Sequence, residues 1–131
     1  MYTDGSAPEE RAWQPEADWR SDERFLYALD LFDHRYMWEA HEAWEALWHF
    51  AGDGTAERDL LQSLICCAAA SLKHHMQSAS AASKLLNRAC ELMQPWAAQP
   101  IIYGVDHARV LADTGRCLQG GGWPKVTLET S

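Results

Sequence analysis

The sequence predicts an all-α fold, a compact bundle of about five helices joined by short loops. Five segments between residues 21 and 119 repeat apolar residues at the three- and four-residue spacing of an α-helix. Apart from "KVTLE" near the end, no segment alternates apolar and polar residues between turn signals, as half-buried strands do. The segment "LLQSLICCAAASL" (60–72) is apolar on almost every face, which is typical of the central helix of a bundle.

Capping and turn residues set the expected limits of the helices. Ser21, Thr55 and Asp106 are suitable N-caps, and the glycines of "AGDG" (51–54) and "GGG" (120–122) suit helix ends. The expected helices cover about 22–32, 37–50, 55–77, 80–93 and 106–119. A weak internal repeat, in which residue 28 aligns with residue 70, predicts helical-hairpin packing of the tetratricopeptide-like kind.

A chain of 131 residues predicts one domain. We expect an extended arm over 1–20, the helical domain over 21–119 and a tail over 120–131. The arm contains Trp13 and Trp19, and a disordered segment seldom carries two tryptophans. The sequence therefore leaves open whether the arm packs on the domain or on a partner.

Charge and hydropathy exclude two classes of partner. Eleven basic and nineteen acidic residues give a net charge of −8, which repels polyanions and argues against nucleic acid. The longest apolar run, Leu64–Ala70, is far shorter than a membrane span, and the first twenty residues lack the pattern of a signal peptide. We therefore expect a cytoplasmic protein that binds neither nucleic acid nor membrane.

The four cysteines show no metal-binding or disulfide-exchange motif. They lie at positions 66, 67, 90 and 117, without the C-x-x-C spacing of zinc ribbons and thioredoxin-like sites. Adjacent cysteines on a helix point in different directions, so Cys66 and Cys67 are unsuited to a shared ligand or bond. We expect buried, reduced thiols.

The segment "WEAHEAWEALW" (38–48) is the main candidate site. On a helical projection Trp44 and Trp48 lie in the apolar arc, and His41 with Glu45 lies at its edge. Glu42 is intermediate. The tryptophans are best interpreted as core residues, and the two edge residues as a pair between core and solvent.

One hypothesis for this pair is a metal-dependent, hydrolase-like enzyme. His41 and Glu45 would bind a divalent transition metal, Glu42 would be the general base, and His74 is a candidate third ligand. The opposite hypothesis is purely structural: the pair is completed by hydrogen bonds from Arg58 or Gln62 on the next helix. Local spacing does not choose between these two.

Three segments of the chain resemble a known family. They are "ALDLFDHRYMWEAHEAWEALW" (28–48), "ERDLLQSLICCAAASLKHHMQSASAASKLLNRACELM" (57–93) and "YGVDHARVLADTGRCL" (103–118). Together they are similar to the bacterial and archaeal domain-of-unknown-function family 309, whose pattern includes A-H-E-x-W-E-x-x-W followed by E-R-x-x-L-Q. Ser63 departs from that pattern, which has glycine there.

The resemblance implies a small all-helical domain without an established role. It also implies that the His41 helix and the Arg58–Gln62 helix are companions whose polar residues converge. The positions that match the family's polar and aromatic residues are Glu39, His41, Glu42, Glu45, Arg58, Gln62, His74, Trp44 and Trp48.

We favour a non-catalytic binding or interaction module over an enzyme. Its polar cluster would comprise His41, Glu42, Glu45, Arg58 and Gln62, beside the aromatic residues Trp44 and Trp48. A helical bundle with aromatic side chains can accept a small molecule, a peptide helix or a second copy of itself. A homo-oligomer is therefore among the expected partners.

Overall fold

The computed structural model describes residues 22–126 and 128. The expected N-terminal arm, with Trp13 and Trp19, lies outside these residues. Five α-helices follow one another along the chain, with a 3₁₀ turn and a small antiparallel hairpin before the last. They are α1 Glu23–Asp33, α2 Met37–Trp48, α3 Ala56–His75, α4 Ala79–Met93, the 3₁₀ turn Gln94–Trp96, β1 Ile101–Ile102, β2 Val105–Asp106 and α5 His107–Leu118. The predicted all-α bundle is confirmed.

Side-chain caps fix the N-termini of α1, α3 and α5, and one of the three predicted caps is wrong. Thr55 accepts a hydrogen bond from the Arg58 amide, and Asp106 accepts one from the Arg109 amide, as predicted. At α1 the cap is Asp22, whose Oδ1 accepts from the amides of Arg24 and Phe25. Aspartate and serine are nearly equivalent caps, so the sequence alone could not separate two adjacent candidates.

Helix α3 is the centre of the bundle. It packs most extensively against α4, then against α2 and α5, while α1 packs mainly on α2. Its middle is buried or half-buried on all sides, and Leu60, Leu64 and Cys67 are buried. Small residues on facing helices, Ala68 on α3 and Ala89 on α4, are fully buried. The nearly all-apolar segment thus has the covering neighbours that its composition predicted.

The tryptophans are divided between core and surface. Trp44 is fully buried, with its ring 5.4 Å from that of Phe32. Trp48 is half-buried, whereas Trp38 is 58% exposed. The interpretation as core residues is therefore right for Trp44 and partly right for Trp48, and Trp38 lies outside the apolar arc of α2.

The hairpin between α4 and α5 was not predicted. Ile102 pairs with Val105, and the two residues between them, Tyr103 and Gly104, have positive φ angles of 49° and 73°. Positive φ at both central positions is the geometry of the type I′ hairpin turn. Two-residue strands are too short to show alternation, so periodicity could not reveal them.

The C-terminal segment folds back across the bundle. The ring of Trp123 stacks on His75 at the end of α3, with centroids 3.6 Å apart. The Val126 amide donates to Asp33 Oδ1 at the end of α1, at 2.7 Å, and Leu128 forms a bridge with Val105. None of the described helices has the length and apolar character needed to cross a membrane.

Candidate functional site

His41 and Glu45 form the predicted pair on the edge of α2. Nε2 of His41 lies 3.5 Å from a carboxylate oxygen of Glu45. The imidazole is 21% exposed and the carboxylate 49%, and the exposed ring of Trp38 stacks on the imidazole at 5.3 Å. Exposed ion pairs of this kind contribute between zero and about 1 kcal/mol. Glu39 and Glu42 are both exposed, so Glu42 lies further from the core than its predicted intermediate position.

Arg58 does not complete this pair, contrary to the structural hypothesis. Its Nη1 donates to the carbonyl oxygens of Trp48 at 3.2 Å and of Ala51 at 2.9 Å. Its guanidinium carbon lies 4.0 Å from the centre of the Trp48 ring, and its Nε is 3.4 Å from Asp53. The last carbonyls of a helix lack partners within the helix, and a cation beside them supplies donors. Arg58 therefore caps the end of α2.

Gln62 is half-buried on α3, one turn beyond Arg58. Its side chain makes no hydrogen bond to His41 or to Glu45. The convergence of α2 and α3 that the family resemblance implies is correct for the helices, which pack against each other. It does not extend to one common polar site, because Arg58 is bound at the end of α2.

The three predicted metal ligands are not brought together. His74 lies in the last turn of α3, where its ring packs edge-on against His75 at 5.2 Å. At 1.5 Å per residue α3 is about 30 Å long and α2 about 18 Å, so the end of α3 extends past α2. Within the described part of the chain, no three His, Cys, Asp or Glu side chains are grouped to hold a metal ion.

Three buried nitrogen atoms on α2 have no hydrogen-bond partner among residues 22–126 and 128. They are Nδ1 of His41 and Nε1 of Trp44 and Trp48, at positions i, i+3 and i+7 of the helix. Burial of a polar group without a partner costs free energy. This side of α2 is therefore held by packing, such as the contact of Trp44 with Phe32, rather than by a hydrogen-bond network.

A cavity of about 560 Å³ lies between α4 and α5, on the other side of α3 from α2. We call it the α4–α5 cavity. Most of its wall is apolar. The lining residues are Asn87, Cys90, Glu91, Met93, Gln94, Ala97, Pro100, His107, Ala108 and Leu111.

The segment between the two helices creates this cavity. Pro95 lies in the 3₁₀ turn that follows α4. In the same turn Trp96 donates through Nε1 to Asp59 Oδ2 on α3 at 2.8 Å. The hairpin then carries the chain to Asp106, which caps α5. Because the connection is anchored to α3, the C-terminus of α4 and the N-terminus of α5 form facing walls. Sequence reasoning placed no site here, since the walls come from residues far apart in the chain.

His107 is the most buried polar side chain in this wall. The residue is 4% exposed, and its Nε2 lies 2.8 Å from the carbonyl oxygen of Gln99. Its backbone amide donates to the carbonyl of Pro100. Two bonds to the connecting segment thus fix the ring at the first position of α5.

The thiols differ in exposure, and the expectation of buried thiols is wrong for Cys90. All four cysteines are free, three are buried, and Cys90 is exposed at the α4–α5 cavity. Burial raises the pKa of Cys67 to about 12 and also raises the pKa of Cys66 and Cys117. Since the thiolate is the reactive form, these three thiols are protected both by packing and by protonation.

A second depression, of about 500 Å³, lies between α1 and the C-terminal segment. Its wall includes Tyr27, Asp30, Asp33 and Tyr36, with Val126 opposite. Burial raises the pKa of the Asp33 carboxyl, and the hydrogen bond from the Val126 amide lowers it by less. The C-terminal segment therefore forms one wall of this depression.

The fold and the cavity define a class: a five-helix bundle with one central helix and a largely apolar cavity in its side. Residues 25–85 match the model of the family described as "Domain of unknown function (DUF309)", which confirms the resemblance predicted from the sequence. The matched segment covers α1, α2, α3 and the first part of α4. All ten residues that line the α4–α5 cavity follow it. No curated protein matches the chain.

Proposed function

We propose that this protein is a non-catalytic binding module that holds a small, largely apolar molecule in the α4–α5 cavity. One observation carries the proposal: a cavity of about 560 Å³ with mostly apolar walls and few polar groups. Ligand sites in proteins have this character and volumes of roughly 300 to 1,000 Å³.

The separation of the predicted polar residues argues against metal-dependent hydrolysis at His41 and Glu45. Arg58 is engaged with the end of α2, and His41 and Glu45 pair at an exposed edge without His74. In this proposal the aromatic residues Trp44 and Trp48 stabilise the bundle, and the ligand binds elsewhere. A homo-oligomer and a peptide partner stay predictions.

The size of the cavity sets the expected affinity. A ligand of about twelve non-hydrogen atoms that gains about 0.5 kcal/mol per atom binds with about −6 kcal/mol, or a dissociation constant of some tens of micromolar. Two-ring aromatic molecules such as 1-naphthol and naphthalene are suitable probes. Neither carries a charge that the acidic surface would repel or attract.

Cys90 provides a direct readout. In the native full-length chain it is the exposed cysteine among the described residues, so a bulky maleimide should modify it first. A probe in the cavity should lower the rate of this modification in proportion to the fraction of the protein that has a probe bound. The rate is measured by intact-mass spectrometry over a series of probe concentrations, and the affinity is checked by calorimetry.

A pair of matched variants tests whether the probes enter this cavity. Ala108→Trp places an indole in the wall, and Ala112→Trp places one on the same helix one turn later, at an exposed position outside the lining. We expect Ala108→Trp to abolish binding and Ala112→Trp to retain it. Equal binding by both variants, or no binding of any probe by the wild-type chain, would refute the proposal.

A further inference from the structure

The hydrogen bond of His107 determines which of its ring nitrogens carries a proton. Nε2 lies 2.8 Å from the Gln99 carbonyl oxygen. A carbonyl oxygen can only accept, so Nε2 must be the donor and carry hydrogen. In the neutral ring Nδ1 then has a free lone pair and can only accept.

Nδ1 of His107 is the ring nitrogen that remains available to a ligand in the cavity. The ring lines the α4–α5 cavity, its Nε2 is turned to the connecting segment, and Nδ1 has no hydrogen-bond partner among the residues that the structure describes. The residue as a whole is 4% exposed, and the lone pair of Nδ1 belongs to the part of the ring that stays accessible. A ligand that donates to this nitrogen takes the place of the water that otherwise reaches it, and gains the net free energy of one neutral hydrogen bond.

The other polar groups of the wall differ from His107 in burial. Asn87, Glu91 and Gln94 belong to α4 and the 3₁₀ turn, and all three are exposed. They stay hydrated whether or not the cavity is filled. Met93 and Leu111 supply buried or half-buried apolar surface. His107 is therefore the group that discriminates most strongly between ligands.

We infer that the ligand of this cavity is an apolar ring molecule with one hydroxyl or N–H group, which donates a hydrogen bond to Nδ1 of His107. The inference rests on the proposed function and names the chemical class that the site selects. A neutral hydrogen bond contributes about 1 kcal/mol net, which corresponds to roughly fivefold in affinity.

Three probes of similar shape separate the hydrogen bond from apolar burial. 1-Naphthol donates through its hydroxyl, 1-methoxynaphthalene has the same oxygen without the proton, and naphthalene has neither. We expect the wild-type chain to bind 1-naphthol about fivefold more tightly than the other two. Calorimetry and the protection of Cys90 measure the three affinities.

Two variants of His107 test whether its Nδ1 causes the preference for 1-naphthol. In His107→Gln the side-chain amide can still donate to the Gln99 carbonyl, but it lacks the Nδ1 acceptor, so the preference for 1-naphthol should fall below twofold. Naphthalene should bind as it does to the wild type. His107→Asn keeps an acceptor near the δ position and should retain part of the preference.

A measurement on the wild-type chain does not depend on how the variants fold. The ¹⁵N resonance of the His107 acceptor nitrogen should shift upfield on adding 1-naphthol and stay in place with 1-methoxynaphthalene. Equal affinity for the three probes, or a preference that survives in His107→Gln, overturns the inference and leaves the proposed function standing. If no probe binds, both are overturned.

Discussion

At the scale of single residues, Arg58 shows how a residue that resembles part of a site can be structural. Its fork of donors reaches two carbonyl oxygens at the end of α2, and its flat face covers Trp48. These contacts satisfy acceptors that the helix leaves open and bury part of an indole. The side chain thus joins α2 to α3 at their connection.

Removal of Arg58 should therefore destabilise the fold more than removal of the His41–Glu45 pair. We expect Arg58→Ala to lower the free energy of unfolding by about 2 kcal/mol, from hydrogen bonds of a charged donor and the cation–π contact. Arg58→Lys should recover less than half, because lysine has no fork. Urea unfolding monitored by circular dichroism measures the free energy of unfolding of the wild type, Arg58→Ala and Arg58→Lys.

The matched control is His41→Ala, which removes a pair at an exposed edge. It should cost less than about 1 kcal/mol beyond the loss of helix-surface packing. If His41→Ala proved as destabilising as Arg58→Ala, the division of the predicted cluster into a helix cap and a surface pair would be wrong.

At the scale of secondary structure elements, three helices end with the same hydrogen-bond pattern. After α1, α3 and α5 the second residue beyond the cap donates back to a carbonyl five residues earlier: Tyr36 to Leu31, Ser78 to Lys73 and Gly121 to Arg116. This is the Schellman motif, whose penultimate residue takes a left-handed conformation. That residue is Gly120 after α5, but Arg35 after α1 and Gln77 after α3, with φ of 71° and 62°.

Glycine at these two non-glycine positions should stabilise the protein. A side chain in the left-handed region costs about 1 kcal/mol, part of which the greater freedom of glycine in the unfolded chain offsets. We expect Gln77→Gly and Arg35→Gly each to raise the free energy of unfolding by about 0.5 kcal/mol.

Gly120→Ala is the control for this prediction, because it makes the opposite change at the third motif. It should lower the stability by about 1 kcal/mol. Thermal melts of the three variants and the wild type show the signs directly. A loss of stability in Gln77→Gly would mean that its side chain contributes more than its strained backbone costs.

At the scale of the whole molecule, the C-terminal segment connects elements that are distant in sequence. Val126 is bound to Asp33 at the end of α1, and Trp123 to His75 at the end of α3. The Asp33 carboxylate is partly desolvated by this contact, and burial raises its pKa, while the nearby Lys125 and His34 act against the rise and Asp30 adds to it. Docking of the segment is therefore coupled to pH.

The sign of this coupling gives a testable prediction for Asp33→Asn. The folded pKa is above the unfolded value of 3.8, so the ionised group opposes folding at neutral pH. As pH falls through the folded pKa, the native state binds the proton first, and the cost disappears below 3.8. Asparagine can still accept from Val126 without a charge, so Asp33→Asn should be more stable than the wild type at pH 7.

Urea unfolding at several values between pH 7 and pH 3.5 measures this difference in stability. The advantage of Asp33→Asn should shrink as the solution becomes more acidic and vanish below pH 3.8. Glu42→Gln, at an exposed position on α2, controls for the change in net charge. An advantage that grows toward acid pH would contradict the prediction.

Periodicity was sufficient for the helices and for the ordering of the residues on α2. Apolar spacing is a local property, so all five helices and the burial of Trp44 could be predicted from the chain. The hairpin at Tyr103–Gly104 was not predicted, although an aromatic residue and a glycine between β-branched residues carry a weak turn signal. The exposure of Cys90 was also not predicted, because it depends on where α5 begins.

The sequence by itself determined that this chain is a helical bundle, that α3 is its central element and that residues 25–85 resemble a recognised family. Only the tertiary structure decided which polar residues meet. Hydrogen bonds and cavity walls join residues that are far apart along the chain, such as Trp96 with Asp59 and Cys90 with His107. Local spacing fixes the direction of a side chain from its own helix, whereas its partners depend on how the helices pack.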